Sequence, residues 1–228
     1  MKPQLLFLCG LLVTTFGLPG CAINTHYNEA YILSFVIITL IVASFIVLAV
    51  RSNLLRDTVN DYHAFPANTI RNPYSLSRVQ LGVWTVVMSC SYIYLALCKG
   101  GCSINTINKS ALVLMGIGTG TAAVARLMDK REIENNLMRH QNSPSVNFLT
   151  DILSDDSGIS IHRFQHVVWT VIAIIVYLYQ VGSVATGCEL PELSDTLLAL
   201  TGISSTSYLM LKSKENDPAV PAVQNNEA

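Results

Sequence analysis

Charged residues are scarce in this sequence. Only 13% of its 228 residues are Asp, Glu, Lys or Arg, whereas 51% are hydrophobic and the mean hydropathy is +0.44. Soluble domains carry about a quarter charged residues, so the composition predicts a membrane protein. The formal net charge of -1 supplies no basic field of the kind that nucleic acids require, and we expect no nucleic-acid partner.

Residue patterns that carry chemistry are also missing. The sequence shows no zinc-type Cys or His/Cys spacing, no nucleophile-base pair and no carboxylate dyad. His162 and His166 are four residues apart and could share a metal, but no third ligand is evident. No charged residue lies inside an apolar run, which disfavours coupled transport. We therefore expect no catalytic residue, no metal and no cofactor.

Apolar runs divide the chain into membrane spans. A run of about 20 residues crosses a bilayer core of about 30 Å. The runs predict five spans in the mature chain, and six if the leader is retained, at residues 31–50, 79–98, 110–125, 167–187 and 196–211. The expected fold class is all-α, an integral membrane helical bundle.

The leader, residues 1–22, reads as a signal sequence with one positive charge, an apolar core and a turn before Cys21. Three fates stay open. Cys21 could be lipidated, cleavage could follow Ala22, or the segment could remain as an extra membrane helix. All three place the following residues outside the cytoplasm.

Arginines concentrate in the connections between the first and second spans and between the third and fourth. The positive-inside bias therefore predicts a multi-pass protein of the bacterial inner membrane with a cytoplasmic C-terminus. The first span and its cytoplasmic connection are expected at residues 23–74, and the first repeat at 75–130. An amphipathic cytoplasmic linker follows at 131–159, then the second repeat at 160–214 and a disordered tail at 215–228.

An eleven-residue phrase occurs twice, at residues 75–85 and again about 85 positions later at residues 160–170. Each copy opens a two-span unit, so the two units enter the membrane from the same side and form parallel repeats. Cys102 and Cys188 occupy matching outside turns. They are the favoured disulfide, with a Cys98 to Cys102 pair as the alternative.

The repeats retain two cations and two tryptophans near the expected membrane surface: Arg78, Arg163, Trp84 and Trp169. We expect interfacial anchoring from both tryptophans. Three explanations compete for both arginines, namely topology, anionic lipid headgroups, and a salt bridge to a cytoplasmic acid such as Asp155 or Asp156.

The repeats also retain polar and small residues that could pack helices together or line a pore: Gln80, Gln165, Gly116, Gly118, Gly120, Gly202, Ser204 and Thr206. An amide in a drying environment needs a partner on another helix, and the G-x-x-x-G pair at Gly116 and Gly120 lets helix backbones approach closely. Matched glycine-broken segments also occur at the substrate sites of transporters, so the pore alternative stays open.

Several motifs together resemble a family of uncharacterised bacterial multi-spanning membrane proteins over residues 74–214. The motifs lie at residues 78–84, 116–121, 148–155, 162–170 and 196–205. The resemblance implies a multi-span membrane protein and carries no activity. We expect a homo-oligomer in the lipid bilayer that acts as a passive pore. The alternative is a non-catalytic scaffold or regulatory subunit with membrane or cytoplasmic protein partners.

Overall fold

The computed structural model describes residues 28–59, 72–98, 108–135, 137, 139, 141, 145–155, 157–184 and 190–215. The elements in chain order are α1 (Asn28–Arg51), α2 (Leu76–Cys98), α3 (Lys109–Glu134), α4 (Phe148–Leu153), β1 (Ser154–Asp155), β2 (Gly158–Ile159), α5 (Ile161–Ser183) and α6 (Asp195–Lys212). This mostly helical fold confirms the all-α prediction. Its β structure in the described part is limited to the two-residue strands and an isolated bridge between Arg56 and Tyr74. The leader with Cys21, the turns with Cys102 and Cys188, and residues 216–228 lie outside that part.

Four of the helices, α1, α2, α3 and α5, are long and apolar enough to cross a membrane. The composition and these helices are compatible with a membrane protein. The predicted fifth span, residues 196–211, corresponds to α6, whose 18 residues are not among the four. The span count of five therefore stays a prediction.

The helices that open the two repeats match in length. Both α2 and α5 have 23 residues, and each begins directly after the serine of its phrase, Ser75 or Ser160. Both start earlier than the predicted spans because the polar first turn of each phrase is already helical. The second helices, α3 and α6, are capped alike: Asn108 accepts the backbone N–H of Ala111 at 2.9 Å, and Ser194 accepts that of Leu197 at 3.3 Å.

Helix α2 occupies the centre of the bundle, where it packs against α1, α3 and α5, and α6 packs between α3 and α5. Trp84 of α2 lies in the core and meets Tyr177 of α5 edge to face, with ring centroids 6.3 Å apart. The predicted interfacial anchoring of Trp84 is thus wrong, because its indole fills the α2–α5 interface. Its counterpart Trp169 is half-buried.

We call the side of the bundle where α1, α3 and α6 end and α2 and α5 begin the arginine-rich end. Helix α4 closes this end: Phe148 is buried and meets Tyr74 edge to face at 5.1 Å. Asp151 holds the segment in place by accepting the backbone N–H groups of Tyr74 and Val146, at 3.2 and 3.1 Å. The short linker is therefore fixed on the bundle.

A tight antiparallel hairpin follows α4, with Ser154 paired to Ile159 and Asp155 to Gly158. The sequence predicted that the helix ends here but not the strand pairing, which the positive φ of 116° at Gly158 makes possible. Burial opposes ionisation of Asp155, but the backbone N–H and hydroxyl of Ser157 donate to it and hold its pKa below its ordinary value.

Gly82 sets the distance between α1 and α2. A Cβ at this position would lie 2.8 Å from the Phe45 ring and 3.2 Å from Leu55, so we expect Gly82→Val to push α1 away and to lower the free energy of unfolding by about 1–3 kcal/mol. Thermal unfolding in detergent measures this. Gly116→Val is the matched control, since nothing lies within 4 Å of its Cβ position; equal shifts for both variants would contradict the expectation.

Candidate functional site

Buried polar side chains of α2, α5 and α6 meet between the helices. The Gln80 amide donates from Nε2 to Thr170 Oγ1 at 3.0 Å, which leaves its Oε1 to accept from Nε2 of His166. With that nitrogen donating, His166 Nδ1 accepts from the Ser204 hydroxyl at 3.0 Å. The three helices are thus joined through one fully buried imidazole.

On the side of the arginine-rich end, the same imidazole contacts Tyr208, which in turn contacts Arg163. His166 stacks on Tyr208 with centroids 5.5 Å apart and planes 1° from parallel, and the Arg163 guanidinium lies 5.6 Å from the Tyr208 ring centroid. Arg163 donates to both oxygens of Glu215, with 3.1 Å from Nε to Oε1 and 2.7 Å from Nη2 to Oε2. Of the three explanations for this arginine, the salt bridge is the one seen here, but its partner is Glu215, a residue predicted to begin the disordered tail. Asp155 interacts with Arg163 only through its charge, and Asp156 lies outside the described residues.

A second set of charges, which we call the ionic cluster, comprises Asp57, Asp129, Glu132, Arg139 and Lys212. Asp129 Oδ1 lies 2.6 Å from Arg139 Nη2 and 3.0 Å from Lys212 Nζ. Arg139 also donates from Nε to Glu132 Oε2 at 2.8 Å and from Nη1 to the Thr58 carbonyl at 2.6 Å. These buried pairs tie the connection after α1 to the ends of α3 and α6.

Asp57 completes the cluster from the connection after α1. Burial opposes its ionisation, but the charges of Lys212, Arg139 and Arg78 hold its pKa below the ordinary value of 3.8. Because the folded pKa is below the unfolded one, the ionised carboxylate stabilises the fold at neutral pH. This contribution disappears as the pH falls through the folded pKa.

This arrangement holds helices together. Arginine and lysine are paired with carboxylates, and the histidine is saturated by an amide and a hydroxyl. Within the described residues no group of three or more His, Cys, Asp or Glu side chains is placed to hold a metal. His162 is exposed while His166 is buried, so the two do not share a ligand.

The duplicated glutamines have different environments. Gln80 is buried and bonded as predicted for a packing residue, whereas Gln165 is exposed. Gln165 does not pack inside this chain, because α5 presents the adjacent residue, His166, to the interior instead; the pore alternative for Gln165 stays a prediction. The duplicated arginines differ likewise: Arg163 is buried in its pair with Glu215, and Arg78 is half-buried and donates to the Arg56 carbonyl.

The small residues also divide between the surface and the interior. Gly118 faces Leu81 of α2 and Gly202 faces Ile117 of α3, at 3.7 and 3.8 Å from their Cβ positions, and Ser204 is buried. On the surface are Gly116, Gly120 and Thr206. The G-x-x-x-G pair at Gly116 and Gly120 therefore does not pack inside this chain, and these residues do not line a common path within one copy.

Sequence analysis did not single out the acids of the ionic cluster or its lysine. The repeat register is the one sequence signal for these residues. The register that pairs Gly116 with Gly202 also pairs Arg126 with Lys212 and Asp129 with Glu215, so both copies have a cation and an acid at the end of their second helix.

The chain was compared with known proteins at three levels. No family model, curated protein or solved structure matches it. The resemblance of residues 74–214 to a family of bacterial membrane proteins therefore stays a prediction.

Proposed function

We propose that this protein is a non-catalytic membrane scaffold or regulatory subunit that holds a protein partner at its arginine-rich end. The proposal includes a helical bundle of five spans in the bacterial inner membrane with that end, and the C-terminus, in the cytoplasm. The observation that carries it is a set of exposed apolar side chains just before and on α4, on the hairpin and in the first turn of α5. We call this set the apolar patch; its members are Val146, Leu149, Ile159, Ile161 and Phe164.

The charge around the apolar patch favours a protein over a membrane surface. Residues 143–162 contain three aspartates and no lysine or arginine. Segments that lie on an anionic leaflet are rich in Lys and Arg on their polar face. An acidic and apolar surface instead suits a protein partner with an apolar contact surface and a basic rim.

The support beneath the apolar patch is rigid, which suits a docking surface. Asp151 fixes α4, the backbone N–H of Ser160 bonds the Leu153 carbonyl at 2.8 Å, and the ionic cluster holds the neighbouring helix ends. A partner that binds a preformed surface loses less entropy on binding than one that must order a loop.

Co-purification from native membranes tests this proposal. The double variant Leu149→Ser, Ile159→Ser is expected to lose a stoichiometric partner by about tenfold or more, as for central interface residues. Val113→Ser, an exposed apolar position at the other end of the bundle, should retain it. A deletion of residues 139–154 would not test partner binding cleanly, because it would also remove Arg139 from the ionic cluster. A chain that purifies alone, or a partner that survives the double variant, would contradict the scaffold.

A second candidate function is an oligomeric passive pore. It is favoured by the exposed small face of α3, which includes Gly116, Thr119 and Gly120 and lets a second copy approach closely. Ion or small-solute flux in liposomes of purified protein tests it. Flux that is absent, or unchanged when Thr119 and Gly120 are both replaced by leucine, would rule out this route.

A further inference from the structure

A groove runs between α1 and α3 at the arginine-rich end, with α2 as its floor. Its volume is about 640 Å³, within the usual range for ligand sites. Apolar or small side chains form its walls, including Phe45 from α1, Leu81 and Val86 from α2, and Ala122 and Ala123 from α3. Since α1, α2 and α3 are helices able to cross a membrane, the groove faces the space that a bilayer would fill.

Two arginines line the same groove, Arg78 at the start of α2 and Arg126 on α3. None of the described residues that line it is acidic. Arg78 gives one N–H to the Arg56 carbonyl, and Arg126 is exposed and bonds no other residue in the described part. The groove therefore combines an apolar wall with two cations. Neither forms an ion pair with a carboxylate in the described chain, and the charge of Arg78 helps to hold Asp57 ionised.

The second repeat shows how the equivalent cations are satisfied elsewhere. The counterparts of Arg78 and Arg126 in the repeat register are Arg163 and Lys212. Arg163 is paired with Glu215 and Lys212 with Asp129. Asp129 is itself the first-repeat counterpart of Glu215, but it binds Lys212 and Arg139 and pairs with neither Arg78 nor Arg126 in the described chain.

We propose that this groove binds an anionic phospholipid, with the phosphate of the headgroup between Arg78 and Arg126 and an acyl chain along α2. The planar guanidinium forks of arginine match phosphate oxygens in a bidentate manner. The apolar wall favours a lipid over a free phosphate ion, because an acyl chain would cover the apolar side chains and the ion would not. This assignment is independent of the proposed scaffold function, since the groove and the apolar patch share no residue.

Lipid retention by the purified full-length protein tests the assignment. Protein in mixed micelles is exposed to phosphatidylglycerol and phosphatidylcholine with identical acyl chains, and bound lipid is counted by native mass spectrometry. We expect preferential retention of phosphatidylglycerol. Arg126→Gln should weaken it about fivefold and Arg78→Gln, Arg126→Gln more than tenfold. Arg131→Gln, an exposed arginine of the same helix outside the groove, should leave it unchanged.

Arg126 has no partner in the described part of the chain, so Arg126→Gln keeps the test valid even if the double variant fails to fold. Equal retention of the two lipids, or an equal loss for Arg131→Gln, would overturn the assignment. Inorganic phosphate alone is tested in a further experiment. If it raises the unfolding temperature as much as phosphatidylglycerol does, the lipid assignment is overturned and the groove is a free-anion site. Loss of the lipid with partner binding intact would separate this result from the scaffold test.

Discussion

Replacing Asp129 with alanine is expected to lower the free energy of unfolding by about 3–5 kcal/mol, because it leaves two buried cations without their shared carboxylate. Both Arg139 and Lys212 are within 3.0 Å of Asp129 Oδ1, and the side chain of Lys212 is only 1% exposed. Water cannot replace the missing charge at that depth. For a chain of this size the loss corresponds to a fall of about 10 °C in the unfolding midpoint.

Thermal unfolding in detergent, followed by gel filtration, measures this effect. The adjacent Lys130 provides the control: its pair with Glu134 is 3.6 Å long, with side chains 73% and 64% exposed. Lys130→Ala should shift stability by less than about 0.5 kcal/mol. Equal losses of stability for Asp129→Ala and Lys130→Ala would show that the ionic cluster does not hold the helix ends together.

Replacing Gln80 with alanine is expected to cost about 2–3 kcal/mol, whereas the same change at Gln165 should have almost no effect. The first change removes the bond to Thr170 and leaves the buried N–H of His166 without an acceptor, and an unsatisfied buried donor is costly. The second alters an exposed side chain, for which shifts within about 0.5 kcal/mol are typical.

The two glutamine variants should be measured side by side in the same detergent, since the residues occupy equivalent positions of the repeated phrase. His166→Leu gives an independent check, because it removes the other partner and should destabilise to a similar degree. Equal, small shifts for Gln80→Ala and Gln165→Ala would show that the amide network contributes nothing measurable to the packing of α2 on α5.

The sequence predicted the helices well because their signal is local. Apolar runs and turn residues lie next to each other in the chain, so the helices of both repeats appear close to where they were expected, and the phrase at Ser75 and Ser160 correctly indicated where α2 and α5 begin. Even the extension of α3 beyond the apolar run follows from helical spacing, and the helix ends at Glu134.

The side chains that meet in the interior could not be predicted in the same way, because a repeated sequence does not repeat its surroundings. Gln80 of α2 faces α5, where Thr170 and His166 bond its amide. On α5 the buried position is taken by His166, so the same phrase buries Gln80 in one copy and exposes Gln165 in the other. Trp84 likewise enters the core because α5 brings Tyr177 against it.

The charged network was missed for a related reason. Asp129, Glu132 and Lys212 lie at helix ends, where charge usually indicates solvent, and Arg139 reads as a topology signal. Their burial depends on chain segments far apart in sequence coming together. The one sequence signal for this network is the repeat register, which, continued past the apolar runs, pairs Asp129 with Glu215.

The ion pair between Asp129 and Lys212 joins the two halves of the chain that contain the repeated phrase. A second half made alone would have to bury a lysine without its counter-charge, and a first half made alone would keep an unbalanced carboxylate. Electrical neutrality in the buried interior therefore depends on both halves. A chain cut between them should fold only when both fragments are made together.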